Sequence, residues 1–349
     1  MIAAAVPSRS SIQLLESAAQ AFPRMLRAIR AAHERVHLEI YALSPRGIGA
    51  EFVSALSDAA RRGVRVRVVV DGWGTGFPAR HIAAELRKAG CDVEIYNPLH
   101  SILRGRFRRD HRKLLLVDDR LAFLGGLNFL NRFLGDHGWA DLAVEIQGPA
   151  CADLGHRLRH EPHEPQRNGV RIWLSGDGGG RRLRKRYMKA FGAARSRIVL
   201  AQCYFLPDRA LLRSLTAAAR RGVRVTLLVP GRIDVPFVRA AIALQYERLL
   251  RAGIEVHEWS DSVLHAKLAV IDGEHLLLGS FNLDPFSLAN LEALVEARDA
   301  PAAGAAERWI LGKLPRARRI ESNPLSRGIR LLGTVARSLA DLIRKLLAW

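Results

Sequence analysis

His111-Arg112-Lys113-Leu114-Leu115-Leu116-Val117-Asp118 and His265-Ala266-Lys267-Leu268-Ala269-Val270-Ile271-Asp272 share one spacing and stand 154 positions apart. The match continues downstream, where Gly125, Gly126 and Asn128 answer to Gly279, Ser280 and Asn282. Six positions correspond and five keep their residue type. A lone His-x-Lys would read as a structural histidine; a duplicated one with this register reads as a site. Each motif opens an apolar run that breaks at Asp118-Asp119 or Asp272-Gly273 and resumes at Ala122–Leu124 or Leu276–Leu278. That pattern predicts a pair of short strands around a tight turn. Residues two apart on a strand share a face, so His111 with Lys113, and His265 with Lys267, point the same way.

Upstream of each motif the same plan repeats. Ala60-Arg61-Arg62-Gly63-Val64-Arg65-Val66 recurs unchanged at Ala219-Arg220-Arg221-Gly222-Val223-Arg224-Val225. Each copy follows an alanine-rich helical pattern and runs into a β-branched strand, Val66–Val70 or Val225–Val229. Ala89-Gly90 and Ala252-Gly253 then close a second helix ahead of Val93–Tyr96 and Ile254–His257, while Val36–Tyr41 and Ile198–Phe205 read as the first strand of each half. Glycine ending a helix before a continuous apolar strand predicts α/β units with a largely parallel sheet. The fold class is therefore α/β: two similar halves with mixed sheets flanked by helices, related by a pseudo-twofold axis around one cleft. The boundaries fall at 1–160, 170–300 and a basic tail 301–349, joined by the Pro-containing stretch 160–169.

The chemistry follows from the pairing. Two facing copies supply two imidazoles and two ammonium groups. Cleavage of a phosphodiester needs a nucleophile, an acid for the leaving alkoxide, and positive charge at the phosphoryl oxygens. Asn128, Asn282 and Ser280 can add neutral donors, and glycine at 125, 126 and 279 lets backbone approach a phosphate closely. Asp141, 30 residues past His111, and Glu292, 27 past His265, are the carboxylates expected to orient the imidazole of their own half. Asp118 and Asp272 sit at turns, where capping or a salt bridge competes with direct chemistry. No Asp/Glu/His cluster has metal-ligand spacing, so side chains rather than ions are expected to supply the field.

Composition limits the partners. The chain has 349 residues, 49% hydrophobic, and a formal charge of +20, which attracts polyanions without choosing between nucleic acid and an anionic bilayer. The absence of an apolar run of membrane-spanning length makes any membrane role peripheral. Met1 to Pro7 lacks the basic start of a secretory signal. Cys91, Cys151 and Cys203 read as buried apolar residues. In the tail, Leu332, Val335, Leu339, Leu342, Ile343 and Leu346 recur at helical spacing up to Trp349, a pattern that suits either the headgroup plane or a protein surface. The stretch Arg181–Ala194 reads as a strongly basic helix.

With these residues in view, the chain resembles the phospholipase D superfamily, whose mark is the duplicated His-x-Lys-x4-Asp. Within it the resemblance is to short bacterial cardiolipin synthases without an N-terminal membrane hairpin. It rests on Arg108-Arg109-Asp110-His111-Arg112-Lys113, Gly125-Gly126-Leu127-Asn128, Trp139-Ala140-Asp141, Gly279-Ser280-Phe281-Asn282-Leu283-Asp284-Pro285 and Asn290-Leu291-Glu292-Ala293, across residues 10–300. Position 126 departs from the pattern: it is glycine where many members carry serine. The resemblance implies covalent phosphohistidine chemistry using His111, Lys113, Asp118, His265, Lys267 and Asp272, one histidine as nucleophile and the other as acid and base; His111 is taken as the nucleophile, with the reverse assignment as the alternative. It further implies phosphatidyl transfer from one phosphatidylglycerol to another with release of glycerol, at the cytoplasmic face of the inner membrane. Neither cofactor nor metal is required, and the partner is anionic phospholipid rather than nucleic acid. Hydrolysis of phospholipid, another phosphatidyl transfer, and a nuclease are the alternative activities. A silent binding protein is disfavoured by two intact His–Lys pairs.

Overall fold

The computed structural model describes residues 9–322 apart from 106, 164–168, 177–178 and 234–235. The amphipathic stretch 328–349 lies outside the described residues. The first half forms β1 (Ser11–Leu15), β2 (Arg35–Ile40), β3 (Arg65–Asp71), β4 (Asp92–Tyr96), β5 (Lys113–Val117), β6 (Leu121–Gly125) and β7 (Ala143–Gln147), in the order β1-β7-β6-β5-β2-β3-β4. The second forms β8 (Val170–Leu174), β9 (Arg197–Gln202), β10 (Arg224–Pro230), β11 (Glu255–Trp259), β12 (Lys267–Ile271), β13 (His275–Gly279), β14 (Ala293–Arg298) and β15 (Arg318–Arg319), in the order β15-β11-β10-β9-β12-β13-β14-β8.

Only β2-β3-β4 and β9-β10-β11 run parallel; the remaining pairs are antiparallel. The expectation of a largely parallel sheet therefore holds for the helix-linked strands alone. The hairpins β5–β6 and β12–β13 reverse direction at Asp118-Asp119 and Asp272-Gly273, all four residues with positive φ between 51° and 74°. Two consecutive positive φ values match the right-handed twist of the flanking strands, which is why Asp and Gly occupy these turns. Strands β1, β7, β8, β14 and β15 are too short or too mixed in pattern to have stood out in the sequence.

Alternation along β5 and β12 explains how the sheets stack. Leu115 and Val117 pack with the helices of their own half, as do Ala269 and Ile271. Leu114 and Leu116, on the opposite face, join Leu268, Val270, Leu276 and Leu278 in a core shared by both sheets. Strands buried on both faces need continuous apolar sequence, as these have. Helix Ala300–Leu311 spans the joint, its Trp309 indole donating to the Glu16 carbonyl at 2.9 Å. All three cysteines are buried.

Candidate active site

The motif residues sit at one edge of the two stacked sheets, where the halves meet. β5 begins at Lys113 opposite Ile40, the last residue of β2, and β12 begins at Lys267 opposite Gln202, the last residue of β9. The motifs thus lie at the carboxyl edge of the parallel strands. Two short backbone exchanges stitch the halves together here. His111 N–H donates to Leu291 C=O at 2.9 Å, and Leu291 N–H returns to Arg109 C=O at 2.8 Å. Across the pseudo-axis, Ala140 N–H donates to Val263 C=O and His265 N–H to Ala140 C=O, both at 2.8 Å.

This stitching places each histidine against the carboxylate of the other half. His265 Nδ1 lies 2.6 Å from Asp141 Oδ2, and His111 Nδ1 lies 3.1 Å from both Glu292 oxygens. The expectation that each carboxylate orients the histidine of its own half is corrected: the pairing is crosswise. An ionised carboxylate only accepts, so in that state Nδ1 of each neutral imidazole carries the hydrogen and Nε2 keeps its lone pair. Lys113 Nζ donates to the His111 carbonyl at 2.7 Å, and Lys267 Nζ to the His265 carbonyl while lying 3.1 Å from His265 Nδ1. Tyr41 meets the His111 ring edge-on at 4.8 Å; Phe133 and Trp139 each lie 5.5 Å from the His265 ring. Arg112, facing away between His111 and Lys113, forks onto Asp110 at 2.9 Å and reaches Glu39 at 2.8 Å.

Burial dominates the electrostatics. It pushes His111 well below its ordinary value, helped by Lys113 and Lys267 and opposed by a backbone hydrogen bond at Ser280. His265 falls to about 4 through burial and Lys267, against the pull of Asp141. Lys113 drops to about 7 because it is buried, although Glu292 stabilises its charge. Burial raises Glu292 to about 7, against Lys113 and the Ser280 hydroxyl. Without an anion the site holds two neutral imidazoles beside positive charge.

The remaining sequence-derived residues divide. Ser280 is in the site, its hydroxyl donating to Glu292 and accepting from Ala293 N–H at 3.0 Å. The Asn128 side-chain oxygen accepts from Ala42 N–H at 3.2 Å, fixing the loop that carries Tyr41. Asn282 is buried, its backbone N–H bonded to Ser287 Oγ at 3.1 Å and its Oδ1 without a partner. The glycines are required by close packing: a Cβ at Gly125 would come within 2.4 Å of Leu142 O, and one at Gly126 within 2.2 Å of the Asp141 carboxylate. Asp118 and Asp272 stand at the far ends of their strands as turn anchors, not in the pocket. Asp118 accepts from the N–H groups of His33, Glu34 and Arg35 at 2.8–3.0 Å, and Asp272 from those of Arg195, Ser196 and Arg197. Against the raising effect of burial, these donors hold both carboxyls below their ordinary value.

Sequence reading had not singled out Tyr41, Arg109 or Ser175. Arg109 lies two residues before His111, so alternation could have found it. Ser175 Oγ accepts from Glu292 N–H at 2.6 Å, a contact between residues 117 positions apart that no local pattern announces.

A duplicated α/β fold whose halves lend each other carboxylates around one His–Lys site defines a phosphodiester-processing enzyme of the phospholipase D type. The family described as "Cardiolipin synthase, PLD-like domain" matches residues 25–155 and 187–312, and the chain belongs to it. Cardiolipin synthase B of Escherichia coli K12 is 34% identical over 317 residues, covering 83% of this chain and 77% of that protein. Cardiolipin synthase A of Pectobacterium atrosepticum is 30% identical over 322 residues, covering 83% and 66%. The phosphatidylserine synthase structure from Haemophilus influenzae superposes with a TM-score of 0.75 over 96% of this chain and 95% of that one, at 16% identity, which shows the shared fold. The protein is accordingly a phospholipase D superfamily enzyme of phosphatidyltransferase or hydrolase activity, related to cardiolipin synthase B. Among the described residues, no helix is long and apolar enough to cross a membrane.

Proposed function

We propose that the protein makes cardiolipin, moving a phosphatidyl group from one phosphatidylglycerol to the glycerol hydroxyl of another. The observation that carries this reading is the crosswise pairing, which leaves two imidazole Nε2 atoms free beside two lysines in a chain of the cardiolipin synthase family.

His111 Nε2 attacks phosphorus, the P–N bond forms, and the glycerol oxygen departs with a proton from His265. The acceptor hydroxyl then gives its proton to His265, its oxygen attacks phosphorus, and the P–N bond breaks to restore His111. The low proton affinity of His111 keeps it neutral and nucleophilic. Burial and lysine charge hold His265 down, and the phosphodiester anion offsets the lysine part, so substrate binding promotes protonation of the acid. Lys113 and Lys267 neutralise charge on the phosphoryl oxygens, and Glu292 and Asp141 hold the imidazoles and stabilise their cationic forms. One phosphodiester replaces another, so no energy-carrying co-substrate enters. Bilayer lipid is the natural donor and acceptor, with the protein bound peripherally at the cytoplasmic face.

Incubating purified protein with phosphatidylglycerol vesicles and analysing lipids by mass spectrometry tests the reading. Cardiolipin and an equal amount of glycerol are expected; phosphatidic acid alone, or no product, would overturn it.

A further inference from the structure

Among the described residues, five large apolar side chains are strongly exposed, and four of them are aromatic: Trp73 at 44%, Phe77 at 90%, Phe107 at 43% and Phe286 at 38%. All four belong to segments at the edge of the sheets that carries His111 and His265. Trp73 and Phe77 follow the carboxyl end of β3, and Phe107 precedes His111 on the approach to β5. Phe286 lies in the short helix Pro285–Ala289 beyond β13, and its carbonyl accepts from Asn290 N–H, whose side-chain oxygen in turn accepts from Arg109 N–H at 3.1 Å. A monomeric surface scatters single apolar residues without meaning; four aromatics gathered at one edge around a site is a different observation.

The rim is held rigidly to the site. The Asp71 carboxylate accepts from Trp73 N–H at 2.9 Å and Gly74 N–H at 2.8 Å through one oxygen, and from Asp110 N–H at 2.8 Å through the other. One buried side chain therefore ties the Trp73 turn to the segment bearing His111, just ahead of β5. A Cβ on Gly74 would strike the Tyr41 carbonyl and ring, so this turn lies directly on the residue that flanks His111. Cations accompany the aromatics. The Arg109 guanidinium lies 3.8 Å over the Trp73 ring, with its NH1 atom buried and unpartnered, and exposed Arg80 follows Phe77 by one helical turn.

We propose that the Trp73–Phe77–Phe107–Phe286 rim is the surface by which the protein docks on an anionic phospholipid bilayer, aromatic rings entering the headgroup region and the flanking arginines pairing with lipid phosphates. Aromatic side chains suit this interface because one body serves both apolar and wet surroundings. Arginine adds forked pairing to phosphate, and the overall +20 charge adds long-range attraction. Docking by this edge brings lipid headgroups to the two histidines without any segment entering the bilayer core. The inference rests on the proposed reading of the site as one that takes bilayer lipid.

The test is sedimentation of the full chain with vesicles of phosphatidylglycerol in phosphatidylcholine, under conditions that need no turnover. The double variant Phe77→Ser/Phe107→Ser is expected to weaken binding by about tenfold or more, given the usual gain from burying a phenyl ring. Unchanged thermal unfolding would show that these exposed positions leave the fold intact. Brominated lipid should quench less fluorescence in Trp73→Phe than in the wild-type protein. Wild-type affinity in the double variant, equal affinity for pure phosphatidylcholine, or loss of binding only on deletion of residues 328–349 would each overturn the proposal. His111→Ala must still sediment with vesicles, and a wild-type protein that sediments but makes no cardiolipin would defeat the functional reading alone.

Discussion

The two half-sites use the same histidine–lysine geometry with different supports. At His265 the carboxylate is the shorter Asp141, and residue 126 beside it is glycine because the carboxylate fills the space a Cβ would occupy. At His111 the carboxylate is Glu292, one methylene longer, and the corresponding residue is Ser280, whose hydroxyl donates to it. Side-chain length and neighbour size have changed together. The His111 side also has Arg109 and Arg112, where the second copy has Val263 and Ala266. Duplication preserved the positions of the reacting groups, while the charges around them diverged. We propose that this divergence assigns different jobs to the two similar imidazoles.

The largest expected effect tests those jobs directly. His111→Ala and His265→Ala should each lower cardiolipin formation by about a thousandfold or more. Acid quenching with radiolabelled lipid should trap phosphoenzyme in the wild-type protein and none in His111→Ala. Label retained there would reverse the assignment of nucleophile and acid.

Next come the carboxylates. Glu292→Gln and Asp141→Asn should each reduce kcat by about a hundredfold or more, since an amide can present the wrong partner to Nδ1. Gly126→Ser, which copies the other half, should also lose about a hundredfold. Its Cβ would displace the Asp141 carboxylate from a separation of 2.2 Å, and an ångström of misplacement is costly. Near-normal kcat in Gly126→Ser would show that the size complementarity is incidental.

Lys113 gives a pH-dependent effect on stability. Its folded-state value is about 7 against an ordinary 10.5, so both states bind the proton below about 7 and the cost of the buried ammonium is present in full. Between about 7 and 10.5 the folded state sheds that proton while the unfolded state keeps it, and this contribution to stability rises with pH. Lys113→Met should therefore be more stable than wild type at neutral pH, with the difference narrowing towards pH 10.5 in denaturant titrations. A constant difference would show that Lys113 stays charged in the folded protein.

The smallest effects belong to the motif aspartates. Asp118→Ala and Asp272→Ala should each cost about 1–2 kcal/mol of stability, as for lost capping interactions, and leave kcat nearly unchanged at temperatures where the fold persists. A large fall in kcat with an unaltered thermal midpoint would return them to the chemistry.

Much of this was legible beforehand. The strand–turn–strand units, the glycine-closed helices and the two-residue alternation of His and Lys all came from periods within a few residues, and the structure places them within one or two residues of expectation, apart from β9, which stops at Gln202 rather than Phe205. The recurrence of the motif announced two halves, and the carboxylates Asp141 and Glu292 were found as residue types. What the sequence alone determined was the direction of each side chain relative to its own strand, because backbone pleat and turn geometry are local. Which carboxylate meets which histidine, which backbone groups Asp118 and Asp272 anchor, and which aromatics remain at the rim were decided only by tertiary structure. His111 and Glu292 are 181 residues apart yet lie 3.1 Å from each other, and no local period reports on a contact set by the packing of one sheet against another.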